Sequence, residues 1–509
     1  MILTKSSAEL YAEYESRMRK IADIKNAAAV LQWDEETYLP PKGAAFRGQQ
    51  MASLAEIAHE WSIADSLGDL LGELNSREDF PEDQRRNIAL SLEDYTKKKK
   101  FSPSFIRQLS ETTSRSFHSW IKARSENSFA LFQDDLNSLL ELKRQEAEIA
   151  GYEGHPYNAL LDEYEKDCTI TLLDKVFDQV RGPLKELLDR IQGQPPVENS
   201  FLHQHYPRQQ QWDFGMTLIR ELGFDFEAGR QDLSEHPFTT SFNKNDVRIT
   251  TRVDEQDFSN MTWSCIHETG HGLYEQGLPE EYYGLPLGEY ASLSIHESQS
   301  RLWENNVGRS LGWWQYWYPR LQETFPAQLK DTSLEKFYKG INKVGASLIR
   351  TEADEVSYHF HVMIRYELEK ELIGGNLLVK DIPAYWNEQY YKYLGVKVPD
   401  DKRGCLQDVH WSHGSFGYFP TYSLGSFYAA QLFSAAERGI PGLTNAISQG
   451  NTTSLLQWLR DHIHRYGRRF TSEELCRQAT GQTLDIQYFL QYLLDKYEKI
   501  YIFSDKSNP

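Results

Sequence analysis

Two histidines four residues apart flank a glutamate in His267-Glu268-Thr269-Gly270-His271. Four residues is close to one helical turn, so both imidazoles face the same side and can hold one metal ion. Glu268 lies about 100° round the helix from His267 and can reach a water on that metal. This H-E-x-x-H arrangement suits a zinc ion that activates water against a peptide bond. Met261, Trp263 and Ile266 lead into it, Leu273 and Tyr274 follow it, and Gly277 with Pro279 ends the helical texture. Gly270 and Gly272 weaken the helix by roughly 1 kcal/mol each relative to alanine, which marks a place where another chain, or a substrate, must approach closely.

A catalytic zinc needs a third protein ligand and an open position. A further histidine at position 277 would mark one peptidase class, but Gly277 stands there. A carboxylate from a following helix is the alternative. Residues 290–307 read as that helix, with Leu293, His296, Glu297, Ser300, Arg301 and Glu304 at helical spacing. Glu297 is the expected ligand, with Glu289, His296 and Glu304 as competitors. His296, Gln299 or Glu304 would then hold the ligands in orientation. The plainer expectation for Glu304 is a solvated or salt-bridged helix residue. With the metal in place, Glu268 acts as general base and passes its proton to the leaving amine.

The elements that must position these residues are mostly helical. Ser6-x-x-Glu9 and Thr471-x-x-Glu474 are capping boxes at two helix starts. Helices are expected from near Ala45, between Pro81 and Ala150 with a break at Pro103, over 172–192, 209–222, 348–372 and 382–394, and from Ser423 onward. The texture changes once, in 236–254. Phe238–Phe242 and Asp246–Val253 alternate and are rich in β-branched residues, an antiparallel hairpin signature. Such an edge beside a metal helix can accept an extended peptide as an added strand. The loop 396–422, dense in Gly, Asp, His and Trp, reads as a substrate-binding loop. No repeat or linker divides the chain. One large, mainly α domain is therefore expected over 1–509: an N-terminal helical block (1–235), the hairpin, the metal-binding helices (255–310) and a C-terminal helical block (311–509).

Lys+Arg 55 against Asp+Glu 74 gives a net charge of −19, which argues against nucleic acid or an anionic membrane as partner. Four dispersed cysteines without C-x-x-C spacing suggest a reducing compartment. Cys265 faces away from His267 and reads as a packing residue. Met1–Lys20 has no apolar targeting segment, and the expectation is a soluble, cytoplasmic protein.

Beyond the metal motif, an ordered series of short motifs runs along the chain: Trp33-Asp34, Tyr157-x-Ala159-Leu-Leu-Asp-Glu-Tyr164, His236-Pro-Phe238, Asp246-Val-Arg248-Ile-Thr250, His296-Glu297-Ser298-Gln299, Ile349-Arg350-x-x-Ala353-Asp354 and Gly404-x-x-Gln407-Asp408-x-His410-Trp411. With His267–His271, this series resembles the thermostable (Taq-type) metallocarboxypeptidases. The resemblance implies a helical, neurolysin-like fold of the gluzincin group, with a long central groove and a small antiparallel sheet beside the metal. It implies zinc on His267, His271 and Glu297, replaceable by cobalt, with Glu268 as base. It further implies a homodimer that removes C-terminal residues from peptides one at a time, with broad specificity and little taste for proline.

A carboxypeptidase must recognise a free carboxylate, which an arginine fork or a charged histidine can do. Arg350 and His410 resemble the family's carboxylate-binding residues. The local alternative for Arg350 is an ion pair with Asp354 one turn on. Tyr422, ahead of Tyr418, is the expected oxyanion donor. Asp246 and Arg248 are expected to organise the site. A dipeptidyl carboxypeptidase or oligoendopeptidase on the same scaffold is the competing enzyme reading. A metal-free peptide-binding scaffold is the non-enzymatic one, and the intact Glu268 argues against it.

Overall fold

Ser6 opens the first helix as the capping box requires: its hydroxyl accepts the Glu9 N–H, and the Glu9 carboxylate accepts the Ser6 N–H at 2.8 Å. The computed structural model describes residues 5–501, so both ends of the expected 1–509 span lie outside the described residues. The N-terminal block comprises α1 (Ser7–Thr37), α2 (Ala44–Ser62), α3 (Asp65–Asn75), α4 (Glu82–Lys99), α5 (Pro103–Glu126), α6 (Ala130–Ala150), α7 (Tyr157–Leu161), α8 (Ile170–Gln192) and α9 (Arg208–Glu221). Three strands follow: β1 (Gly229–Leu233), β2 (Thr239–Asn243) and β3 (Asp246–Thr251). Then come α10 (Phe258–Glu275), α11 (Leu293–Arg301), α12 (Leu311–Thr324), α13 (Pro326–Leu329), α14 (Leu334–Ile341), α15 (Tyr358–Ile373) and α16 (Ile382–Leu394). The chain closes with α17 (Pro420–Gly439), α18 (Leu443–Ser448), α19 (Thr453–His462), α20 (Ser472–Thr480) and α21 (Gln487–Ile500).

The mainly helical expectation holds, and the small sheet lies beside α10, but the sheet is mixed rather than antiparallel. β2 and β3 form the expected hairpin. β1 adds on the far side of β3 in parallel, from Gly229 opposite Val247 to Leu233 opposite Thr251. Its Gly-Arg-Gln-Asp-Leu composition is poor in β-branched residues and gave no strand signal.

Two further expectations change for physical reasons. The helix anticipated over 348–372 starts only at Tyr358; Arg350–Glu352 is a short 3₁₀ turn. Asp354 accepts the N–H groups of Val356 at 2.9 Å, Ser357 at 3.0 Å and Gly345 at 3.1 Å. A side chain that satisfies local backbone donors in this way competes with helix formation. The helix expected over 290–307 is α11, capped by Ser292 and continued by a π-helical turn over Leu302–Val307. The wider turn breaks the α-helical register between Glu297 and Glu304.

The core explains the glycines. A small apolar cluster, including Leu10, Tyr14, Leu71, Leu74 and Ile88, holds α1, α3 and α4 together. The main cluster buries α10, α11 and α17 through Ile266, Leu273, Ile295 and Phe427. At Gly270 the close neighbour is protein, not substrate: a Cβ there would lie 2.5 Å from the Ser300 Cα. These three helices, β2 and the loops around residues 350 and 410 wall a groove of about 2620 Å³. Among the described residues, no helix is long and apolar enough to cross a membrane.

Candidate metal and peptide site

α10 presents His267 and His271 to the groove, and α11 brings Glu297 across from the opposite side. One donor atom from each of the three lies within 4.8 Å of the others. The Nε2 atoms of His267 and His271 stand 3.8 and 3.5 Å from Glu297 Oε2. A tetrahedral centre with bonds of about 2.0–2.1 Å separates its donors by roughly 3.3 Å, so this set fits a small divalent cation.

The other edge of each imidazole is already engaged, which leaves Nε2 for the site. Glu304, 9% exposed, sits 2.9 Å from His267 Nδ1. His296 Nδ1 lies 2.6 Å from His271 Nδ1, and His296 Nε2 lies 2.7 Å from Glu275. A carboxylate at the far end of each chain fixes the tautomer that offers Nε2 to a metal. Arg301 donates to Glu297 Oε1 at 2.6 Å and to Glu304 at 3.2 Å. Burial pushes the Glu297 carboxyl up, but Arg301 and the two imidazoles outweigh it and hold the group well below the usual carboxylate range. Burial and the neighbouring His296 pull His271 down to about 3, so it is neutral, as a ligand must be.

Glu268 is 7% exposed on the same face. Thr239, on the edge strand β2, donates its hydroxyl to Glu268 Oε2 at 2.6 Å. Burial raises the Glu268 carboxyl, against the lowering pull of His267 and Thr239. A carboxylate raised in this way is a better proton acceptor near neutral pH.

Arg350 also lines the groove, buried and held by its neighbours. Its Nε donates to Asp408 at 2.9 Å and its Nη1 to the Tyr358 hydroxyl at 2.9 Å. The Tyr422 ring lies 4.9 Å from the guanidinium, and the Tyr422 hydroxyl lies 3.3 Å from His410 Nε2. His410 is not the charged form: burial, reinforced by Arg350, brings it down to about 3. Its Nδ1 is buried and has no hydrogen-bond partner.

Residues 13–497 match the family described as Carboxypeptidase Taq (M32) metallopeptidase. The chain belongs to that family. Thermostable carboxypeptidase 1 of Thermus thermophilus is 39% identical over 95% of this chain and 97% of its own. The structure of the M32 carboxypeptidase from Deinococcus radiodurans superposes with a TM-score of 0.95 at 38% identity, covering 97% of this chain and 99% of that one. A further solved structure, that of CHT, is 58% identical with a TM-score of 0.95 over 96% of this chain and 99% of that one. The protein is thus a metallocarboxypeptidase acting on peptides, with a divalent metal in its chemistry.

In this M32 chain several expected residues stand apart from the metal. Asp246 and Arg248 pair with each other at 2.9 and 3.0 Å, and Arg248 stacks 4.2 Å from the Trp33 ring. They join α1 to the sheet rather than touching a metal-site histidine. Gln299 bonds His464 at 3.0 Å beneath α10. Asp354 serves the turn described above, and Arg350 pairs with Asp408 instead. Glu289, once a competing ligand, reaches Arg468 at 3.4 Å. Glu304 is salt-bridged, as expected, to Arg301 at 3.2 Å and Arg309 at 3.4 Å, and it also backs His267. Thr239, Glu275, Asp408 and Tyr358 were not foreseen. Glu275 had a signal, since it follows His271 by one turn on the same helix face.

Proposed function

We propose that this metallocarboxypeptidase holds zinc on His267, His271 and Glu297 and removes single C-terminal residues from peptides, with Glu268 as general base. The observation that carries this reading is convergence. Two free Nε2 atoms and one Glu297 oxygen meet beside Glu268, and Arg350 and His410 line the same groove. Zinc, when bound, supplies a Lewis acid that polarises the scissile carbonyl and makes a water acidic near neutrality.

The chain's own residues do the rest. Glu268 accepts the proton of the attacking water and returns it to the departing amine nitrogen. Thr239 keeps the Glu268 carboxylate aimed at that water. Arg350 receives the substrate's terminal carboxylate, and neutral His410, whose Nε2 lies 3.3 Å from the Tyr422 hydroxyl, borders the same pocket. Tyr422 stays protonated, because burial raises its hydroxyl well above its ordinary value, and it donates to the developing oxyanion. The substrate backbone runs along β2, the sheet edge whose residues line the groove.

Cobalt replaces zinc on the same donors, which suit both ions. The protein works as a homodimer. In α2 only Ala58 is buried, while Phe46 is 71% and Trp61 43% exposed, a face suited to a second copy. The four cysteines are all unpaired and buried, in keeping with a cytoplasmic protein.

Metal analysis after dialysis against zinc tests the site. One zinc per chain is expected in the wild type and in Glu268→Gln, and none in Glu297→Ala. Full occupancy in Glu297→Ala would remove Glu297 from the ligand set.

A further inference from the structure

Helix α15 begins at Tyr358 in the groove wall and runs behind the loop that carries His410. Arg365 and Glu369, one turn apart and both fully buried, point at the loop that carries His410. Arg365 donates to Asp408 Oδ2 at 2.7 Å and to Gln407 Oε1 at 2.9 Å. Asp408 in turn holds Arg350 at 2.9 Å. Glu369 takes the other half of the loop: the Trp411 indole N–H donates to Oε1 at 2.7 Å, and the Gly417 N–H donates to Oε2 at 2.8 Å. Tyr157 of α7 adds its hydroxyl at 2.5 Å. His410 is adjacent to Trp411, just outside the stretch 411–417 that the two loop bonds close, and two residues from Asp408, which Arg365 holds.

A buried carboxylate is costly unless its oxygens are fully hydrogen-bonded. Here three donors from two separate segments converge on one, and two of them belong to the loop itself. Nothing else in α15 reaches the stretch between residues 411 and 417 by a hydrogen bond. The loop's regular structure is the short 3₁₀ turn His410–His413, so these anchors add to the ring contact with Phe419 at 4.4 Å and the Ser415 N–H bond at 2.9 Å in placing His410.

We propose that Glu369 is a positioning residue for recognition of the substrate's C-terminal carboxylate, acting through Trp411 and Gly417 on His410. The proposal rests on the reading of His410 given above. Arg365 performs the matching task for Arg350 through Asp408, so one face of α15 sets both carboxylate-binding groups. Gln at position 369 keeps the shape but offers a single acceptor oxygen, and its amide N–H₂ opposes a donor.

The test compares wild type, Glu369→Gln, Trp411→Phe and His410→Ala, all zinc-loaded. Two readouts are needed: KM and kcat on an N-acetylated tripeptide, and inhibition constants for an N-acetylated dipeptide as free acid and as C-terminal amide. Glu369→Gln is expected to raise KM and the free-acid inhibition constant about tenfold, the scale of one lost buried hydrogen bond, with kcat and amide inhibition little changed. Trp411→Phe removes one of the same bonds from the other side and shifts the same quantities; it decides the matter if Glu369→Gln does not fold. Equal weakening of acid and amide, or no change in either, overturns the proposal. If His410→Ala leaves acid-over-amide preference intact, the His410 reading itself fails and takes the proposal with it. If His410→Ala abolishes that preference and Glu369→Gln does not alter it, only the role of Glu369 is wrong.

Discussion

Gly425 of α17 packs directly on Glu297 of α11: a Cβ added at Gly425 would lie 2.5 Å from Glu297 Cγ and 2.6 Å from its Cβ. The carboxylate therefore has its place because position 425 has no side chain. Gly425→Ala is expected to push Glu297 off the line of the two histidines. Overpacking of this kind costs about 1–3 kcal/mol. The thermal midpoint should fall, and zinc affinity, measured by competition with a chelating dye, should fall by about tenfold or more. Unchanged affinity would mean that α17 yields without moving Glu297.

The groups behind the imidazoles give a second expectation. Glu304→Ala and Glu275→Ala each remove the carboxylate that ends a hydrogen-bond chain to a metal-site histidine. Each should weaken zinc binding by about 10–100-fold while leaving kcat at saturating zinc comparatively intact. The double variant should be close to additive, because the two carboxylates serve different histidines.

Thr239 supplies a third. Thr239→Val keeps the shape of the strand residue and removes the hydroxyl that donates to Glu268. The expected result is a loss of roughly tenfold in kcat, the scale of one hydrogen bond to a charged group, with zinc content unchanged. Steady-state kinetics beside metal analysis would show it. A fall in zinc content instead would place Thr239 with the metal and not with the base.

Much of this was readable from the chain, and the misses have physical causes. The convergence of His267 and His271 was legible because i, i+4 spacing on a helix is a local property, and Gly270 pointed to a close approach. Glu304 stands where two of its expected roles meet, salt-bridged to Arg301 and Arg309 and set behind His267; spacing alone left these alternatives open because it does not distinguish an α-helix from one with a π turn. The local alternative for Arg350, an ion pair with Asp354, does not form. Asp354 sits where a continuing helix would have placed a partner, but its own bonds to backbone N–H groups prevent that helix. The true partner, Asp408, is brought in by the fold and carries no spacing signal. β1 was invisible because parallel pairing with β3 supports a strand whose own composition does not.

Glu369 also makes a prediction about stability. Burial raises its carboxyl to about 7 against an ordinary 4.5, even with donors from Tyr157, Gly417 and Trp411 and the nearby charge of Arg365. A raised acid is favoured in its protonated form when folded. Its contribution, on the order of 3 kcal/mol, is thus present below pH 4.5 and is lost as pH rises to 7. Glu369→Gln does not titrate. The gap in thermal midpoint between wild type and this variant should therefore be larger at pH 5 than at pH 8. Equal gaps would show that the group does not titrate in that window.

The most direct test of the central claim is mass spectrometry of an N-acetylated peptide incubated with the zinc-loaded protein, beside Glu268→Gln loaded to the same zinc content. The account predicts a ladder that loses one C-terminal residue at a time in the wild type, slowed by about 10²–10⁴-fold in the variant. Losses in pairs or internal cuts would contradict single-residue release, and an equally fast ladder in Glu268→Gln would contradict its role as the base.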